Sequence, residues 1–458
     1  MLSMDQALAR IKGNTEAYLP DPLLRSLCLD LHLGFRNRLL TPLVTARLFL
    51  RQVLHGNASV AHLRRLAKTP FADSSYCDAR QRLPLAFFQR LHRAVLGRCR
   101  AFTEQDLHSL WRGRHRVFFL DGSSFSMPDT AELREEFGQP GSQAEGCGFP
   151  TAHLLVQFEA DTGYLVEALP APLRTHDLAQ AALTHPGLRP GDVVGGDRAF
   201  CSFAHLALLR QRGCLGLFRA HQRLIVSFRP GRAHLEPGRS PQGQAGLPRS
   251  RWLKRLGRDD QLVEYFKPKE RPEWLSPAAS ERLPASLVVR ELRLKVKTPG
   301  RRVKVITLVT TLLDKKRYPK RALARLYERR WQVEVNLRHL KQTLGMDVLR
   351  CGTFKGVWKE LLVFAAVYNL VRRVMAEAAV RQGVSAERIS FVDALRWLGE
   401  AQRGEELPPL RVNRERPGRV EPRAKKRRPK GYDLLNKPRA ELRAALLHNS
   451  SPPQEHAA

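Results

Sequence analysis

Apolar residues recur at three- and four-residue intervals along Leu40–Leu54, Val60–Leu66 and Leu83–Val95, so residues 1 to about 110 read as helical. His55-Gly56-Asn57-Ala58 joins the first two helices. Such a pair suits a helix-turn-helix DNA-binding module, or equally an ordinary helical bundle. From residue 116 the period changes to that of strands. Arg116–Leu120 predicts a short strand ending at Asp121-Gly122. His153–Glu159 and Tyr164–Leu169 alternate like a hairpin around Asp161-Thr162-Gly163. Asp177–Leu183 predicts a helix, Asp192–Gly196 a strand leading to Asp197, Phe203–Arg212 a helix and Leu215–Phe218 a strand. Antiparallel strands followed by helix-linked ones imply a mixed sheet with helices on its faces.

Residues 220–312 read as a mainly β insertion. Arg229–Arg251 is rich in Gly, Pro and Arg and predicts a loop. Leu262–Phe266, Leu287–Val296 and Val303–Leu312 alternate as strands of a small antiparallel sheet, the last two parted by the turn signal Lys297-Thr298-Pro299-Gly300. Trp358–Val380 is a strongly apolar helix fit to cover the sheet, and Arg388–Gly399 a further helix.

Between them, Pro319 to Gly345 predicts one continuous helix, opened by the proline and closed by the glycine. At about 100° per residue, Leu326, Val333, Leu337, Leu340 and Leu344 fall on one apolar stripe. Tyr327, Arg330, Glu334, Arg338 and Lys341 fall on a second, within an arc of roughly 80° beside it. Glu328, Arg329, Gln332, His339 and Gln342 are left for the exposed face. An acid flanked by cations on a half-buried stripe suits a metal ion and a phosphate backbone; a solvated face of spaced ion pairs is the plain alternative.

Charge narrows the choice of partner. The 458 residues hold 78 Lys+Arg against 44 Asp+Glu, a net charge of +34, which favours polyanions, nucleic acid first. From Arg411 to Arg443 there are 13 Lys+Arg and 4 acids, including Lys425-Lys426-Arg427-Arg428. Such a tail reads as an arm that touches phosphates without reading sequence. The seven cysteines are scattered and contain no C-x-x-C pair, which argues against zinc and disulfides and fits a reducing cytoplasm. No signal peptide is expected at the N-terminus. The longest apolar run, Leu361–Val371, is too short to span a bilayer and contains Asn369, so no membrane role is expected.

Three acids carry the candidate chemistry. Asp121 and Asp197 each follow a short apolar strand, and Glu334 sits on the charged helix. Each Asp alone suits a turn former; the joint pattern points further. If the two strands lie side by side, the carboxylates meet at one sheet edge. Clustered carboxylates repel one another without a cation, and oxygen ligands select Mg²⁺ or Mn²⁺. Two such ions, roughly 4 Å apart, activate water or a 3′-hydroxyl. Tyr327, Arg330, Arg338 and Lys341 would hold phosphates.

Tyr327, Arg330, Glu334 and Lys341 form an ungapped Y-x₂-R-x₃-E-x₆-K signature. With it stand Gly345–Arg350, Leu120-Asp121-Gly122 and Gly196-Asp197-Arg198-Ala199-Phe200. In these motifs, over roughly residues 30–440, the chain resembles bacterial DDE transposases of the insertion-sequence-four family. The resemblance implies an α/β, ribonuclease H-like mixed sheet flanked by helices, with a mainly β insertion and an N-terminal helical domain. The expected segments are 1–110, helical and DNA-binding; 111–219, first part of the catalytic core; 220–312, insertion; 313–400, second part of the core; and 401–458, basic tail. It also implies catalytic, metal-binding roles for Asp121, Asp197 and Glu334, and phosphate contacts for Tyr327, Arg330 and Lys341. Mg²⁺-dependent cleavage at element ends and 3′-hydroxyl attack on target DNA would follow, in a synaptic homodimer on double-stranded DNA in the bacterial cytoplasm, at the nucleoid. Some members flip a base onto a tryptophan of the insertion, but neither Trp252 nor Trp274 aligns with a motif that assigns it this role. A catalytically silent DNA-binding protein of the same fold, or a nuclease without strand transfer, remain the alternatives.

Overall fold

The computed structural model describes residues 15–35, 38–106, 111–141, 144–235, 246–296, 304–402, 404–414, 435 and 437–449. The tail cluster Lys425–Arg428 and the turn Lys297–Gly300 lie outside these residues.

Among the described residues, a single helical turn at Thr15–Tyr18 is followed by α1 (Asp21–Asp30), α2 (Pro42–Leu54), α3 (Val60–Ala67), α4 (Asp73–Arg82) and α5 (Leu85–Asp106). Helix α2 starts where Thr41 accepts a hydrogen bond from Val44 N and Pro42 takes the first turn. Nearly all of it is buried, whereas α3 exposes Arg64 and Arg65.

The sheet contains β1 (Val117–Ser126), β2 (Thr151–Glu159), β3 (Leu165–Pro172), β4 (Val193–Gly196), β5 (Leu215–Arg219), β6 (Ser250–Gly257), β7 (Asp260–Phe266), β8 (Ser286–Val296) and β9 (Lys304–Thr310). Their order is β3-β2-β1-β4-β5-β9-β8-β7-β6. β1, β2 and β3 pair antiparallel, while β4 and β5 run parallel to β1. This is the ribonuclease H-like arrangement implied by the resemblance. The insertion strands do not form a small separate sheet. Thr310 of β9 is paired with both Leu217 of β5 and Arg290 of β8, so the insertion prolongs the central sheet. β6 begins at Ser250, inside the stretch expected to be loop; its exposed basic pattern carries little apolar alternation.

Hydrophobic clusters cover both faces. One joins Phe119, Phe125 and Val156 to the N-terminal helices and to α11 (Phe354–Gln382). The other joins Leu120, Leu155, Val194 and Phe218 to α7 (Asp177–Thr184), α8 (Phe203–Gln211) and the insertion. The alternation of Phe119 and Leu120 between them shows which way each residue of β1 points. Between β1 and β2 lies α6 (Ala131–Phe137). Helix α11 is one turn longer at its start than the apolar run suggests, because Thr353 caps it by accepting from Gly356 N. Its Asn369 is the polar break in that run for a reason: Oδ1 accepts from Leu165 N at 2.8 Å and Nδ2 donates to Leu165 O at 2.9 Å, satisfying the outer edge of β3.

The charged helix is not continuous. It divides into α9 (Lys320–Glu328), α10 (Trp331–Arg338) and a π-helical turn over His339–Thr343, ended by Gly345 at φ +85°. The break falls where Arg329 leaves the helix face to pair with Asp161 and donate to Ala160 O at 2.7 Å on the β2–β3 turn. His339 is also not free: its ring stacks on Phe391 of α12 (Phe391–Glu400) at 4.3 Å. The apolar stripe is nevertheless the buried one, with Leu326, Val333, Leu337, Leu340 and Leu344 all in the core. A last helix, α13, spans Arg439–Asn449.

Candidate active site

The β1–β4 register positions the first two acids. The last pair of that parallel ladder is Phe119 with Gly195, so Asp121 and Asp197 lie level, each two residues further on. Asp121 is not at a strand end as expected, because β1 continues to Ser126 by pairing with β2; what ends there is its β4 neighbour. Asp197 turns out of β4 and accepts a hydrogen bond from Ala199 N at 2.8 Å. Both line a cleft of about 360 Å³ with Gly122, Ser123, Ser124, His153, Asp177, Ala199 and Phe200.

The third acid arrives from α10. Burial pushes the Asp121 carboxyl up to about 6; Arg330 works against the rise, and Asp197 and Glu334 add to it. Asp197, Glu334 and Arg330 thus all stand within electrostatic reach of Asp121. Glu334 is half exposed and pairs with Arg330 at 3.2 Å. Among the described residues no three acidic, histidine or cysteine side chains already enclose a metal-sized point. The donor set itself, carboxylates of which Asp121 is raised by burial and by its two acidic neighbours, fits a hard divalent cation.

Tyr327 is buried, and burial pushes its phenol up to about 12, opposed by Arg330 and Arg219 and reinforced by Asp197. Arg330 lies 5.1 Å from the Trp331 ring and 6.0 Å from that of Tyr327. Arg338 is exposed at the end of α10. Lys341, within the π turn, pairs with Asp347 at 3.0 Å. The helix break and the π turn mean that the five charged positions do not share one straight stripe.

The sequence reading passed over other residues of the region. Arg219 ends β5 level with Asp197, since Phe218 pairs with Gly196. It lines a basic pocket of about 450 Å³ with Arg258, Arg293, Lys320, Tyr327 and Trp331, among others. In a chain this basic, one more arginine at a strand end carries no signal of its own.

Residues 112–370 match the family model described as "Transposase DDE domain". The chain belongs to this family. It is 25% identical over 332 residues to the transposase InsG for insertion sequence element IS4 of Escherichia coli K12, a match covering 71% of this chain and 66% of that one. The chain therefore spans just under two thirds of that relative's length. A cryo-EM structure of a piggyBac transposase synaptic complex with hairpin DNA aligns over 87% of this chain and 80% of that chain, at 9% identity and a TM-score of 0.40.

The DDE domain thus takes in both aspartates, the whole insertion, the charged helix and most of α11. No helix among the described residues is long and apolar enough to cross a membrane.

Proposed function

We propose that the chain catalyses divalent-ion-dependent cleavage at the ends of an insertion sequence and the attack of the freed 3′-hydroxyl on target DNA. One observation carries the reading: Asp121 and Asp197 stand level on adjacent strands while Glu334, from a distant helix, acts on the same carboxyl. Asp121, Asp197 and Glu334 would hold two Mg²⁺ or Mn²⁺ ions. When bound, these supply an activated oxygen nucleophile and stabilise the leaving oxygen.

The protein's own residues do the rest. Arg330 pairs with Glu334 at 3.2 Å, and its guanidinium would hold a phosphate beside that acid. Tyr327 and Lys341 position phosphates beside the scissile bond, with Arg338 at the rim. The N-terminal helices and the basic tail bind double-stranded DNA, and two copies pair two element ends in a synaptic complex. The site of action is the bacterial cytoplasm, at the nucleoid.

The test uses a duplex that carries the inverted repeats flanking the coding region. With Mg²⁺ the chain should nick at the repeat ends, leave 3′-hydroxyls and join them to a target plasmid. Nicks without joined products identify a hydrolytic nuclease; binding without nicks identifies a DNA-binding protein. Either result rejects the proposal.

A further inference from the structure

Asp121 and Gly122 alternate across β1, and on the Gly122 face two further side chains close the cleft. His153 of β2 and Asp177, the first residue of α7, meet with Nε2 at 2.8 Å from Oδ1. The β1–β2 register sets Ser124 opposite His153 and Gly122 opposite Leu155. Opposed residues share a face, so Gly122 turns its bare side to the pair. A Cβ there would stand 2.8 Å from Asp177 Oδ1 and 3.3 Å from His153 Cε1. The glycine lets a carboxylate lie flush on the backbone next to Asp121. β4 has stopped pairing by this level, so the strand edge is open and the cleft wraps around it to both faces.

Asp177 also differs from most aspartates of the chain in its partners. Against so many basic residues, acids readily find one: Asp21, Asp129, Asp161, Asp192 and Asp260 each pair with an arginine. Among the described residues, no lysine or arginine stands at ion-pair distance from Asp177, and the same holds for Asp121 and Asp197. His153 Nε2 and Asp177 Oδ1 are shut off from solvent, and neither makes an aligned hydrogen bond. The Asp177 side chain as a whole keeps 30% of its surface open. A carboxylate whose Oδ1 touches an imidazole without an aligned hydrogen bond, with no Lys or Arg at ion-pair distance and two further carboxylates lining the same cleft, is arranged to receive a cation from solution.

We propose that Asp177 is a fourth acid of the divalent-ion site, approaching from the second face of β1, and that His153 is the residue that positions it. This rests on reading Asp121, Asp197 and Glu334 as that site. Outer partners of this kind fix the orientation of a ligating carboxylate. Gly122 is then required because any side chain would fill the approach.

The test is a Mn²⁺ titration of the full chain without DNA, read as bound ion by electron paramagnetic resonance and as the rise in melting temperature. Asp177→Asn keeps the shape and removes the charge. It should weaken Mn²⁺ binding roughly tenfold or more. Asp177→Glu should recover part of the loss, His153→Asn should weaken binding less than Asp177→Asn does, and Asp121→Asn should weaken it most. Wild-type titration by Asp177→Asn alongside a loss in Asp121→Asn overturns the fourth acid and leaves the three-acid site standing. Wild-type titration by both removes the site itself, and this proposal with it. If Asp177→Asn gives no cooperative melt, Asp177→Ser takes its place under the same two criteria.

Discussion

Asp121 and Asp197 stand level on neighbouring parallel strands, each two residues past the Phe119–Gly195 pair, although 76 positions separate them in the chain (197 − 121). The alignment is a property of the sheet, fixed by backbone pairing, so removing either side chain should leave the strands in place. Asp121→Ala is therefore expected to lower Mg²⁺-dependent nicking of an end-bearing duplex by roughly 10³-fold or more, the scale on which single members of a catalytic unit act. DNA affinity, measured by gel shift, should stay within a few-fold. Retained nicking would remove Asp121 from the site.

Lys341 and Asp347 face each other across the π turn, 24% and 47% exposed. An ion pair this open contributes less than about 1 kcal/mol. Lys341→Ala should leave the urea midpoint almost unchanged while weakening end binding or strand transfer. A large fall in stability with normal end binding would return Lys341 to the role of a surface ion-pair partner.

Asn369 is wholly buried and satisfies both backbone groups of Leu165 at the outer edge of the sheet. Asn369→Leu keeps the volume and orphans the Leu165 N–H, while Leu165 O keeps the His92 Nε2 contact at 3.1 Å. The loss should be that of one buried group left unpaired, about 1–3 kcal/mol. Urea denaturation reads it directly, and a loss below about 1 kcal/mol would mean that water or a shift of α11 replaces the amide.

Burial depresses five imidazoles: His92, His205 and His339 to about 4, His185 to about 3, and His55 in the same direction. They are neutral in the folded chain, whereas the unfolded chain protonates them near 6.5. Their contribution is full above that value and is lost as pH falls from 6.5 towards 4. Asp121, pushed up to about 6, and the burial-raised carboxyls of Asp161, Glu167 and Glu291 oppose this as pH falls, four acids against five imidazoles. Melting temperature should fall steadily from pH 6.5 to 5. A flat profile would show that these rings take up protons without unfolding.

Much of this fold could be read from apolar patterning, because β1, β2, β4 and β5 hold short apolar runs buried on both faces and the long helices are apolar where they pack on the sheet. The charged helix shows where that reading stops. Its apolar positions were correctly grouped, but its break depends on Arg329 finding Asp161 and its π turn accompanies the stacking of His339 on Phe391, contacts that span 168 and 52 positions (329 − 161; 391 − 339). β6 carries too few apolar residues to announce a strand and is formed by pairing with β7. At the site, Asp121, Asp197 and Glu334 stood out because each ends or punctuates an apolar pattern. His153 and Asp177 did not: one sits inside a strand, the other opens a helix, and only the fold brings them to Gly122.

The central claim is that three acids, distant in sequence, serve one cation-dependent cut. The most direct measurement is single-turnover nicking of the repeat-bearing duplex against Mn²⁺ concentration, for wild type, Asp121→Asn, Asp197→Asn and Glu334→Gln. All three variants should bind the duplex, melt within a few degrees of wild type and fail to cut at any Mn²⁺ concentration. If any one of them cuts at the wild-type rate and half-saturating Mn²⁺, the acids do not form a single catalytic site.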